Sequence, residues 1–144
     1  MLKMYGEAIE ELATLPAEVL GEAVVVEMHL VTFMQAKEWE RALEYGRTLC
    51  KLRPEEISGF IHSAFCLHEL GRTAEAKELL TSGPPALLKE ANYFYNLACY
   101  ECVLDHLDEA QKHLTKSFEL DSKYRDFAKN DPDLQALRAL GKKK

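Results

Sequence analysis

Two pairs of residues have the spacing to bind a metal ion. His62 and Cys66 stand four apart and Cys99 and Cys102 three apart, so on helices each pair would share a face, and together they permit a Cys3His set suited to zinc. The competing reading of the same residues is packing, because a free cysteine is commonly a small buried hydrophobe. Nucleophilic chemistry has less to work with. Ser63 adjoins His62, but no third group is placed to orient the pair. No Gly-x-Gly-x-x-Gly or Walker sequence occurs to cradle a phosphate. No residue is nominated as catalytic, no cofactor is implied, and the chain is expected not to be an enzyme.

The elements that position these residues come from a chain of ordinary globular composition. At 144 residues, 47% of them hydrophobic, it can bury roughly two thirds of its unfolded surface, so it needs no disulfide or metal staple. Twenty-four acidic against 18 basic residues give a formal charge of -6, the reverse of the basic footprint that nucleic acid selects, so DNA and RNA are not expected partners. The apolar clusters at 23 to 26 and 30 to 34 are separated by Glu27 and His29 and fall far short of a bilayer span. Met1 to Glu7 contain no apolar run of signal-peptide length. Cys50, Cys66, Cys99 and Cys102 are scattered within helical patterns instead of framing short loops. Free thiols in a reducing, cytoplasmic setting, with no membrane contact, are the resulting expectation.

The apolar spacing of Val25, Met28, Phe33 and Ala36, and of Leu107, Ala110, Leu114 and Phe118, follows a helical period and not an alternating one. The expected class is therefore all-α. Ala8, Ala42, Ala76 and Ala110 recur every 34 residues. In that register Phe60 and Phe94 occupy one aromatic position, Ala64 and Ala98 one small position, and Pro54 closes a unit. The runs Tyr95-Asn96-Leu97-Ala98 and Glu119-Leu120-Asp121 complete the pattern. On these residues the chain resembles the tetratricopeptide repeat (TPR) family over nearly its whole length.

The resemblance implies an α-α superhelix (TPR solenoid) of three helical hairpins, with repeats at 23 to 56, 57 to 90 and 91 to 124. Residues 1 to 22 are expected to form an N-terminal capping half repeat. Residues 125 to 141 are expected to form a C-terminal capping helix with a Leu134, Leu137, Leu140 stripe, followed by a disordered tail at 142 to 144. Pro54, Pro84, Pro85 and Pro132 are expected where helices begin, and Gly71 as a left-handed cap. Small side chains at the marked alanines let paired helices approach closely.

In this family the first helix of each repeat lines a concave groove. Carried over by register, the lining residues are Glu27, Met28 and Val31 in the first repeat, Ile61, His62, Phe65, His68 and Glu69 in the second, and Tyr95, Asn96 and Cys99 in the third. The resemblance thus implies a protein–protein adaptor that binds a partner peptide or helix, with Phe65 as the central anchor and Tyr95 and Asn96 orienting the partner. Glu27 and Glu69 favour an apolar segment that is neutral or basic. The alternative for Met28, Val31, Phe65 and Val103 is that they are partly core. No Lys or Arg stands at these positions, so the carboxylate clamp of the family's co-chaperones is not expected. The register also places Cys66 at a small position facing its own hairpin partner, so the thiols read as structural and no metal is expected. His29 falls at an apolar position and reads as a core histidine. A second functional reading is a small acidic secretion-type chaperone holding an unfolded client. Ile9, Leu12 and Leu15 of the half repeat offer a surface for a homodimer.

Overall fold

The computed structural model describes residues 23 to 142, and every regular element in that span is helical. In chain order these are α1 (Ala23–Gln35), α2 (Trp39–Leu52), α3 (Ser58–Glu69), α4 (Thr73–Thr81), a 3-10 helix (Pro85–Lys89), α5 (Ala91–Val103), α6 (Leu107–Leu120), α7 (Tyr124–Ala128), a second 3-10 helix (Pro132–Leu134) and α8 (Gln135–Lys142). α1 pairs with α2, α3 with α4 and α5 with α6, and each pair stacks on the next. The expected N-terminal half repeat, its Ile9, Leu12 and Leu15 included, lies outside the described residues, as do Lys143 and Lys144. Lys142 is the last residue of α8. No helix among the described residues is long and apolar enough to cross a membrane.

The alanines that mark the period sit where paired helices meet: Ala42, Ala76 and Ala110 are all 0% exposed. They belong to one continuous apolar core with Leu30, Leu67, Leu80, Leu97 and Tyr100. Between repeats the approach is closer still. A Cβ added at Gly46 of α2 would collide with Ser63 Oγ of α3, so the glycine is what lets the second hairpin seat against the first.

The turns inside the hairpins repeat as faithfully as the helices. Lys37, Gly71 and Asp105, one period apart, have φ of 58°, 79° and 67°. After each of them the next amide reaches back five residues, with Glu38 donating to the Phe33 carbonyl (2.9 Å), Arg72 to Leu67 (2.8 Å) and His106 to Glu101 (2.8 Å). These bonds satisfy carbonyls that the helix end leaves open, and they need one left-handed residue to do so. Glycine advertises that need at position 71 only; lysine and aspartate supply it at the other two turns without a sequence signal. Pro85 and Pro132 open 3-10 helices, where α-helix starts were expected; the α-helices that follow begin at Ala91 and Gln135.

Ala76→Leu should overpack the central hairpin and cost about 1–3 kcal/mol, while Glu78→Ala on the exposed face should cost almost nothing. Urea melts that shift equally for the two variants would contradict the register. Nothing lies within 4 Å of a Cβ at Gly71, so Gly71→Ala isolates the backbone requirement and should cost about 1–2 kcal/mol.

Candidate partner-binding face

Stacking the hairpins sets α1, α3 and α5 side by side on one face, and this face has an open half and a closed half. On α1, Val24, Met28 and Val31 are 64%, 52% and 36% exposed. With Glu27, and with Arg53 and Glu56 beyond the end of α2, they line an open cavity of about 510 Å³. On α3, Phe65 is half-buried and sets its ring against the edge of Trp39, with centroids 5.7 Å apart, outside the core cluster. His62 is half-buried beside it, its Nδ1 3.1 Å from Ser58 Oγ. Ile61 faces inward as a core residue, and Glu69 is exposed.

On α5 two of the expected groove residues are covered, and Asn96 is half-buried. Tyr95 and Cys99 are only 7% and 4% exposed, because the turn Asp131-Pro132-Asp133 folds back over them. Tyr95 donates its hydroxyl to Asp131 Oδ2 (2.6 Å), and the Cys99 thiol approaches the same oxygen (3.8 Å). His68, reaching across from α3, donates from Nε2 to Asp133 Oδ2 (2.9 Å), with Nδ1 2.9 Å from Thr73 Oγ1. The turn is also held from its own side. Asp131 Oδ1 accepts the Asp133 amide (3.0 Å), and Arg138 donates to the carbonyls of Ala128 (2.8 Å) and Asp131 (2.7 Å). Asn96 spends an amide hydrogen on Asn92 Oδ1 (3.0 Å). His68, Tyr95 and Cys99 thus engage the chain's own acidic turn. Sequence reasoning missed Asp131 and Asp133 as partners of these residues. Its only signal was the Asp-Pro-Asp run, which marks a helix start and says nothing of what the turn touches.

This environment sets the protonation states. The hydrogen bond to Asp133 raises the His68 pKa against the opposing effect of burial. Burial, reinforced by the charges of Asp131 and Asp133, pushes the Cys99 thiol well above its ordinary range. Burial and then Glu69 push Cys66 up to about 11. Both thiols are therefore protonated and poor nucleophiles.

Two groups of potential metal ligands converge among the described residues: Cys99 with Asp131 and Asp133, and Glu101 with Glu109 and His113. His62, Cys66 and Cys102 join neither. In the first group the carboxylates already accept from Tyr95, His68 and a backbone amide. In the second, Glu101 is 3% exposed at the register position that Phe33 and Leu67 fill in the earlier repeats. It pairs with Lys77 (2.9 Å) and His106 (3.1 Å). Burial pushes its carboxyl up, but the hydrogen bonds from His106 and Lys77 outweigh burial and hold it below the ordinary value. This is a charged pin between the second and third hairpins. His29 is buried, with Nδ1 3.0 Å from the Val25 carbonyl and its ring stacked on Tyr45 at 4.6 Å, as expected of a core histidine.

Two solved structures share the arrangement. MamA MSR-1 C2 superimposes with a TM-score of 0.73 at 19% identity, covering 84% of this chain and 70% of that one. MamA 41-end from Desulfovibrio magneticus RS-1 gives 0.75 at 15% identity, covering 96% and 80%. MamA is a TPR-containing protein, and the likeness shows that this chain has a TPR-like, all-α fold of consecutive hairpins. No family model matches the chain, and no curated protein does.

Because folding raises the His68 pKa, the stability contributed by its charged pair with Asp133 is full below the unfolded histidine value of about 6.5 and is lost as pH rises through the folded pKa. Amide hydrogen exchange over residues 128 to 134 should accordingly be slower in the wild type than in His68→Gln at about pH 6. That gap should shrink toward about pH 8; a gap that widens with pH would contradict the assignment.

Proposed function

We propose that the protein is a non-enzymatic adaptor that holds a partner polypeptide on the open half of this face, across α1 and α3. The observation that supports the reading most directly is the exposed apolar strip Val24, Met28 and Val31 on a helix whose other side belongs to the core. Beside it on α3, Phe65 offers an aromatic surface already braced by Trp39. A braced aromatic loses little conformational freedom on binding, and residues of this kind typically dominate interface energy. His62 supplies a polar group next to this anchor. Glu27 and Glu69 flank the strip and favour a neutral or basic segment over an acidic one. Tyr95 and Cys99, under the chain's own turn, mark where the seat ends. The partner accordingly spans two hairpins and stops at Asp131.

Phe65→Ala should weaken binding of the captured partner by roughly 2 kcal/mol or more, about thirtyfold in Kd. The circular dichroism spectrum and melting temperature should stay at wild-type values. Glu44→Ala on the outer face of α2 should leave Kd unchanged. Unaltered binding by Phe65→Ala would put the partner on another surface, and unfolding of that variant would put Phe65 in the core.

A further inference from the structure

The end of the array presents a second surface, chemically opposite to the first. α2 is packed along its length on α3, and the residues that make that contact include Gly46 against Ser63 and Cys50 against Gly59. Two periods on, the same register positions are Leu114 and Phe118 of α6. They face the slot that a further hairpin would fill; among the described residues the short α7, the second 3-10 helix and α8 stand there. Leu134 and Leu137 fill part of the slot and are buried in doing so. What remains is a groove of about 410 Å³.

Its rim is basic. Arg125, Lys129 and Arg138 line it, and among the described residues no aspartate or glutamate does, although the chain as a whole carries -6. The Arg125 guanidinium lies 5.0 Å over the Phe118 ring. Lys129 pairs with Asp126 at 3.1 Å, both side chains highly exposed, and an exposed pair of this kind contributes little and exchanges readily. Arg138 spends one nitrogen on two backbone carbonyls.

We propose that this groove docks an acidic amphipathic helix of a partner polypeptide, its apolar stripe on the half-buried Phe118 and the edges of Leu114 and Leu137 that border the groove, and its carboxylates on Arg125, Lys129 and Arg138. The register identifies the shape of the occupant, because the part of the slot that Leu134 and Leu137 leave open lies where a helix of the array packs in the repeats before it. The rim identifies its charge, since cations over an apolar floor select carboxylates flanking an apolar stripe. This surface lies away from Phe65, so the two docking sites can be tested separately.

The probe is a labelled synthetic helical peptide with leucine at every third or fourth residue and glutamate on both flanks of that stripe. Its control carries lysine in place of each glutamate. Against the full chain, the glutamate peptide should bind at least tenfold more tightly than the lysine peptide, and its affinity should fall with added salt. The double variant Arg125→Glu, Lys129→Glu alters two exposed side chains and should abolish that preference with an unchanged circular dichroism spectrum. Phe118→Ala should weaken the glutamate peptide tenfold or more, and Phe65→Ala should not affect it. Equal binding of the two peptides, indifference to the double variant, or loss with Phe65→Ala would each overturn the proposal. So would self-association, seen by light scattering, that the double variant abolishes while the peptide fails to bind; the occupant would then be a second copy of the chain.

Discussion

Helix pairs in this protein can only come as close as the side chain between them allows, and Ala42, Ala76 and Ala110, all fully buried, set that distance three times over. Because the interval is constant, the three hairpins pair their own helices alike, and Gly46 lets the first two nest closely against Ser63. The left-handed turns at Lys37, Gly71 and Asp105 join the two helices of each hairpin through the same backbone bond. The side-by-side placement of α1, α3 and α5 is a consequence of this repetition, and so is any face they make. Glu101 shows how much chemistry the packing tolerates. A carboxylate replaces an apolar side chain inside the stack, and Lys77 and His106 make it compatible with burial.

After α6 the chain leaves the stacking register, and the way it does so shapes the surface. The face of α5 would be left open were it not covered by Asp131, Pro132 and Asp133. Bringing two carboxylates against a helix face has a desolvation cost that hydrogen bonds must offset. Here Tyr95, His68 and the Asp133 amide supply them, and Arg138 secures the backbone of the turn. The carboxylates are thus received by a phenol and an imidazole, and helices α1, α3 and α5 carry no lysine or arginine. Closure there covers Tyr95 and Cys99, while Val24, Met28 and Val31 of α1 stay exposed.

The same ending separates charge. Glu27 and Glu56 line the open cavity beside a single cation, Arg53, among the described residues, while Arg125, Lys129 and Arg138 gather on the groove beside α6. Surfaces of opposite sign on one rigid stack repel each other's ligands and so discriminate between partners by charge before contact is made. On the functional reading proposed above, the chain would hold two different polypeptides at once.

Much of this was legible in the residues alone. Helical content, the 34-residue period and the burial of its alanines follow from side-chain size and spacing along the chain, which act over one or two helical turns or repeat at a fixed interval. Gly71 marked its turn because glycine tolerates a left-handed backbone; Lys37 and Asp105 adopt the same backbone with no such mark. Groove positions transferred by register could not tell that Tyr95 and Cys99 lie covered while Met28 stays open. That distinction rests on contacts between Tyr95 and Asp131, 36 residues apart, and between His68 and Asp133, 65 residues apart. Burial is a property of what folds back over a side chain, and no local pattern encodes where a distant turn will land, so the extent of the open face was decided by the tertiary structure.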